Sequence, residues 1–254
     1  MSGAMGKIQD VFRAVTGARK KVLAVVILAG GAGSRMGGEL PKQLLPLGGV
    51  PVVARSLLAF EACPDVEEIV VVCRQGEENL YNTMAKEYAV TKYRGAAVGG
   101  ETRGASSIRG FAAVSEKADY VAFHDAARCL VTPETITKVF REALACRTCA
   151  IAAMPVSDTM KETDALGRVK TTLDRSHLMA AATPQIFRAN VFRAVAYTAQ
   201  QEGFVATDDA ALAEHYGFEV RTVPCPKDNI KITYPEDLVI AEAILSARRE
   251  KENV

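Results

Sequence analysis

The residues with the clearest chemical potential crowd one short stretch, Leu28 to Lys42, which reads LAGGAGSRMGGELPK. Gly30, Gly31 and Gly33 can take backbone conformations closed to other residues and bare their N–H groups, so the stretch can form a concave anion cradle. Arg35 and Lys42 place two cations just after the glycines, where phosphates held by those amides would lie. Phosphoryl and nucleotidyl transfer need this combination. Charge grows on the non-bridging and leaving oxygens as the attacking oxygen arrives, and fixed cations stabilise that state more than the ground state. The competing reading makes Arg35 and Lys42 solvated loop charges.

Two commoner nucleotide motifs do not fit. No Gly-Lys-Ser/Thr ends the stretch, and Gly37 follows Gly33 at four residues rather than three, so neither the P-loop nor the dinucleotide fingerprint is met. A second apolar run ends in Cys73 and Arg74, without the acid that would bind a dinucleotide ribose.

Such a loop needs strands behind it. Four continuous apolar runs, Val22 to Leu28, Glu68 to Cys73, Tyr120 to Asp125 and Cys149 to Val156, suit strands covered on both faces. Between them, Pro51 to Cys63, Ser106 to Val114 and Pro133 to Cys146 have helical periodicity. The alternation predicts an α/β fold, a Rossmann-like, three-layer α/β/α arrangement around a mostly parallel sheet, with ligands beyond the carboxyl ends of the strands. Ser157 to Arg175 breaks the pattern. It is polar, carries the turn-like Asp164-Ala165-Leu166-Gly167 and resumes with the β-prone Val169 to Leu173, predicting a protruding β-hairpin arm. An arm of this kind is a flap or a grip on another subunit, and the grip is preferred. Thr233 with Glu236 offers a capping box and Pro235 a first helical turn, so a final helix is expected to about Arg248, with Lys231 just ahead of it.

At 254 residues and 49% apolar content, one domain over residues 22–248 is expected. Residues 1–21 form a basic extension in which Ile8, Val11, Phe12 and Val15 share a helical face; a loose, mobile arm is an equal reading, and with Ser2 its single serine a transit peptide is disfavoured. Lys and Arg number 31 against 30 Asp and Glu, so no global field recruits nucleic acid or an anionic membrane. The six cysteines are read as reduced thiols of a cytoplasmic protein, and the lone pair Cys146 and Cys149 lacks a second pair for zinc. No apolar run approaches the ~20 residues needed to span a bilayer.

The motifs carry a resemblance. LAGGAGSRMGGELPKQLLPLGGVPV is similar to the nucleotide-binding loop of sugar-phosphate nucleotidyltransferases. In order after it come GGETRGASS (Gly99 to Ser107), FHDAAR (Phe123 to Arg128), PVSDTMK (Pro155 to Lys161), LDR (Leu173 to Arg175), ATPQIF (Ala182 to Phe187), ATDDAALAE (Ala206 to Glu214) and DNIKITYPEDL (Asp228 to Leu238). The ordered set resembles the 2-C-methyl-D-erythritol 4-phosphate cytidylyltransferase family over about Val22 to Leu245.

The resemblance implies transfer of a cytidylyl group from CTP to methylerythritol phosphate with release of pyrophosphate, magnesium bridging the triphosphate oxygens. It implies that Leu28, Ala29, Gly30, Gly31 and Gly33 hold CTP, and that Arg35 and Lys42 stabilise the pentacoordinate α-phosphate. Gly99, Gly100 and Ser106 would read the nucleotide, Ser106 being equally readable as a helix N-cap. Asp125 would accept sugar hydroxyls or help hold magnesium. Arg128 and Thr183 fall on the acceptor side, as do Thr159 and Arg175, placed on the two strands of the hairpin and reaching across a homodimer interface. Arg175 suits a phosphate because it can bind it bidentately. Lys231 would set the acceptor against CTP. An ionised phosphate nucleophile needs no strong base, which leaves His124 a structural hydrogen bonder. Cys129, Met179 and Ala105 depart from the family pattern of a proline, an aromatic residue and an acid or amide. Ribitol-phosphate cytidylyltransferases share the loop and the NIKIT segment, and a silent nucleotide-binding protein of the same fold is the alternative from another class.

Overall fold

The structure, a computed structural model, describes residues 19–31 and 41–252. In chain order its main elements are β1 (Leu23–Leu28), α1 (Val52–Ala62), β2 (Val66–Cys73), α2 (Glu78–Glu87), β3 (Tyr93–Val98), α3 (Arg103–Ala112), β4 (Tyr120–Asp125), α4 (Pro133–Cys146), β5 (Cys149–Pro155), β6 (Lys161–Thr163), β7 (Val169–Thr172), β8 (Met179–Arg188), α5 (Ala189–Glu202), α6 (Asp209–His215), β9 (Val220–Pro224) and α7 (Pro235–Glu252). Seven strands make one sheet in the order β9-β5-β8-β4-β1-β2-β3, parallel except for β8, which runs antiparallel to β4 and β5. This is the mostly parallel α/β sheet expected from the alternation of runs.

The apolar runs are continuous because helices cover both faces. Val25 and Ile27 of β1 join a cluster with Phe60 and Ile136, whereas Val26 between them joins another with Phe123 and Phe192. Burying each such side chain contributes about 1.5–3 kcal/mol. On the second face α3 lies close to the sheet. A Cβ at Gly110 would meet Val26 Cγ1 at 2.4 Å and Val72 Cγ2 at 2.6 Å, so only glycine lets the helix approach this far. Register sets the site: Leu28 stands level with Val72 on one side and Asp125 on the other, so β1, β2 and β4 end together at one sheet edge.

Three local expectations are corrected. Helix α3 starts at Arg103, capped by the Thr102 hydroxyl accepting from Ala105 N, so Ser106 sits in the first turn and is not the N-cap. The cap of α7 is closed by Asp237 rather than Glu236: its Oδ2 accepts from Thr233 N at 2.8 Å and Tyr234 N at 2.9 Å, because the helix begins at Pro235 and Asp237 is its third residue. The hairpin of β6 and β7 forms over a turn with Gly167 at φ +76°, but Thr159 lies before β6 and Arg175 in the 3-10 turn after β7. Both therefore mark the base of the arm and not its strands. Asp174 produces that turn by accepting from Ser176 N, while Leu173 N donates to Met160 O at 3.0 Å and ends the ladder.

Among the described residues, no helix is long and apolar enough to cross a membrane. Of the basic extension, residues 1–18 lie outside the described residues. Arg19 and Lys21 pair with Asp119, at 2.9 and 3.1 Å.

Candidate functional site

A cleft of about 510 Å³ opens at the carboxyl edge of β1 and β4. Leu28, Ala29, Gly30 and Gly31 form one wall, Gly100 to Arg103 and Ser106 another, and Lys42, Asp125 and Lys231 converge on it. Several hydrogen bonds shape the first wall. Ala29 N donates to Val72 O at 2.7 Å, buried Gln43 donates through Nε2 to Ala29 O at 2.7 Å, and Arg74 donates to Gly30 O at 3.4 Å and Gly31 O at 3.0 Å. Arg74 thus replaces the ribose-binding acid of a dinucleotide site with a cation that grips the glycine turn. Gly33 and Arg35 lie outside the described residues.

The second wall depends on two glycines. A Cβ at Gly99 would lie 2.9 Å from Ser106 Oγ, and one at Gly100 would lie 2.5 Å from the Cβ of Ala105. Their absence lets the loop close on α3, where Ser106 Oγ accepts from Gly100 N at 3.1 Å. The result is a flat backbone ledge beside a hydroxyl, suited to a planar base.

Asp125 ends β4 between cations. Lys231 Nζ lies 2.7 Å from Oδ2, Arg103 Nε 3.4 Å from Oδ1, and Arg128 Nε 3.9 Å from Oδ2. Burial pushes this carboxyl up, but Arg103, Lys231 and Arg128 outweigh it and hold it well below the usual carboxylate range. Lys42 donates to Ile232 O at 2.9 Å, one residue from Lys231, so both ammonium groups border the same side of the cleft. Lys231 keeps 38% of its side-chain surface exposed, and can meet a ligand.

Behind the wall the polar groups are consumed internally. Thr183 Oγ1 accepts from Asp125 N at 3.1 Å and contacts His124 Nδ1 at 3.0 Å, while His124 Nε2 lies 3.2 Å from Arg128 O. A carbonyl only accepts, so Nε2 carries the proton and Nδ1 receives the Thr183 hydroxyl. Full burial pushes His124 down to about 3, which keeps it neutral. Arg128 is 11% exposed and donates to Asn229 O at 3.0 Å and Ala181 O at 3.4 Å. Thr159 and Arg175 stand outside the cleft lining; Arg175 donates to Ser157 O at 2.5 Å.

Gln43 and Arg103 line the cleft without having been singled out from the sequence, although both fall inside quoted motifs, and Thr233, read there as a helix cap, lines it too. A glutamine next to a candidate catalytic lysine inside an apolar run was the available signal for Gln43. As for a metal, among the described residues Asp125 and Glu101 are the carboxylates lining the cleft, and no three His, Cys, Asp or Glu side chains cluster to hold one. With Asp125 already flanked by cations, the donor set fits a magnesium ion carried by polyphosphate oxygens better than one caged by protein.

Comparison with known proteins agrees with this geometry. Residues 23–247 match the family model for 2-C-methyl-D-erythritol 4-phosphate cytidylyltransferase. The enzyme of that name from Rubrobacter xylanophilus is 44% identical, covering 89% of this chain and 96% of its own, and that from Pelotomaculum thermopropionicum is 41% identical over 89% and 95%. The crystal structure of 4-diphosphocytidyl-2C-methyl-D-erythritol synthase from Anaerococcus prevotii superposes with a TM-score of 0.79 at 26% identity, over 89% and 97% of the two chains. With a family match spanning the whole sheet and a basic cleft at its carboxyl edge, the chain belongs to the 2-C-methyl-D-erythritol 4-phosphate cytidylyltransferase family.

Proposed function

We propose that Lys42, Asp125 and Lys231 form the reacting centre for this family's reaction, in which CTP and 2-C-methyl-D-erythritol 4-phosphate give 4-diphosphocytidyl-2-C-methyl-D-erythritol and pyrophosphate. The observation that carries the assignment is the meeting of these three side chains, from three distant parts of the chain, in one cleft beside the glycine turn. The backbone of Leu28 to Gly31 takes the triphosphate, assisted by Gly33 and Arg35, and Gly99, Gly100 and Ser106 take the cytosine. A phosphate oxygen of the acceptor attacks the α-phosphorus, the new P–O bond forms as the bond to the bridging oxygen breaks, and pyrophosphate leaves. Lys42 and Arg35 neutralise charge on the five-coordinate phosphorus, and Lys231, held by Asp125, sets the acceptor in line. Magnesium or another divalent ion, bound with CTP, would neutralise further phosphate charge.

The acceptor half extends to Arg128 and Thr183, which stand behind the wall, and to Thr159 and Arg175 at the base of the arm. Because the arm leaves the cleft of its own chain, we assign Thr159 and Arg175 to the site of a second copy, in a homodimer of single domains spanning residues 22–248. Neither nucleic acid nor a membrane has a place in this reading, which suits a cytoplasmic enzyme.

The deciding experiment measures pyrophosphate release from CTP with methylerythritol phosphate and, separately, with ribitol 5-phosphate. Turnover of the first acceptor is expected, and turnover of ribitol 5-phosphate alone would overturn the assignment.

A further inference from the structure

Arg103 stands between two acids that the reaction does not itself connect. Its Nη1 donates to Asp209 Oδ2 at 2.5 Å and its Nε to Asp125 Oδ1 at 3.4 Å. Asp209, in the first turn of α6, has a fully buried side chain. A carboxylate so placed is costly without a counter-ion, and Arg103 is the cation that meets it. Helix α6 is itself tied to the sheet. Asp208 caps it by accepting from Ala211 N at 2.9 Å and also accepts from Gln185 Nε2 at 2.7 Å, while Gln185 Oε1 accepts from Ala210 N at 2.9 Å. The guanidinium therefore carries a fixed point on α6 and β8 to the end of β4.

The two oxygens of Asp125 face different cations, Oδ1 towards Arg103 and Oδ2 towards Lys231. The contact at Oδ1 fixes the rotation of the carboxylate, and with it the direction in which Oδ2 presents Lys231 to the cleft. We propose that Arg103 is a positioning residue: by bridging buried Asp209 and Asp125 it orients the carboxylate that holds Lys231. The inference rests on the reading that Asp125 and Lys231 belong to the reacting centre. An arginine suits the position because its Nη1 and Nε, set apart on a planar fork, each meet a different acid.

The test compares turnover in two backgrounds. Replacing the buried pair together, Arg103→Gln with Asp209→Asn, avoids stranding a buried charge, and melting temperature and circular dichroism verify folding. In the otherwise unchanged protein, kcat is expected to fall about 10- to 100-fold with the KM for CTP little altered, as for a small misplacement of a reacting group. In an Asp125→Asn background, the same pair of replacements should change the residual rate by less than about threefold, since the group they act through is gone. Equal losses in both backgrounds, or no loss in the first, would overturn the proposal. Should the double replacement fail to fold, Arg103→Lys keeps the charge and loses the bridge. Low kcat at unchanged KM for CTP then supports the inference, and full activity sinks it. An unmodified protein that releases no pyrophosphate would indict the reading of the site itself, which keeps the two failures apart.

Discussion

The cleft at the end of β4 and the arm of β6 and β7 are both polar, yet they are held by opposite means. In the cleft, Asp125 is 13% exposed, flanked by three cations, and its backbone N–H is bound by Thr183. In the arm, every residue of β6 and β7 is exposed, and its ion pairs, such as Lys170 with Glu162 at 3.8 Å, lie in solvent. Groups in the first region are fixed by their own chain, at low dielectric, before any substrate arrives. Groups in the second are held by surface contacts within the arm, Arg175 at its base donating to Ser157 O. On the proposed reading, the first region is preorganised for its substrates and the second depends on a neighbouring subunit.

The contrast is broken first at Lys42. Lys42→Ala should lower kcat by about 10²- to 10³-fold while changing the KM for CTP far less, measured by pyrophosphate release; near-normal turnover would remove Lys42 from the reacting centre. Arg175→Ala should act on affinity instead, raising the KM of the acceptor by roughly 10- to 100-fold, the size of a charge-assisted contact worth about 1.5–3 kcal/mol. Mixing Arg175→Ala subunits with Lys42→Ala subunits should restore part of the activity, because one hybrid site then contains both residues. A mixture no more active than its parts would confine the arm to its own chain.

A fourth experiment sharpens the contrast through pH. His124 lies near 3 in the folded protein against an ordinary 6.5, so between those values the unfolded chain binds a proton that the folded chain does not. Stability should therefore be lost as pH falls below 6.5, by about 1.4 kcal/mol per pH unit from this group. Urea unfolding between pH 7 and 5 would read that slope, and His124→Gln should flatten it; an unchanged slope would relocate the acid sensitivity. Asp125, depressed by its cations, adds a loss only below its ordinary 3.8. The smallest effect is expected in the arm, where Lys170→Ala should shift stability by less than about 0.5 kcal/mol, since its partner is as exposed as it is.

Much of this was legible in the residues. Runs such as VLAVVIL are apolar at every position because both sheet faces are covered, so strand and sheet type followed directly, as did the turn at Gly167. Boundaries were less legible. The start of α3 went to Ser106 because the polar GGETR stretch masks a helix whose cap, Thr102, is identifiable only from the Ala105 N–H it binds. Of α7, the start at Pro235 was read correctly, but which acid closed the cap depended on which residue fell third in the helix.

By itself the sequence determined the chemistry on offer: glycines to bare amides, Lys42 close after them, Asp125 at a strand end, and a polar arm with an arginine. Residue type and local period suffice for that, because both act within a few residues. Only the tertiary structure decided which of these meet. Lys42 and Lys231 stand beside one another because Ile232, buried in a third small core, presents its carbonyl to Lys42, and Arg103 joins Asp125 to Asp209 across 106 residues of chain separating it from the latter. Contacts of that range depend on how helices seat on the sheet, Gly110 against Val26 above all, and no local pattern encodes that distance.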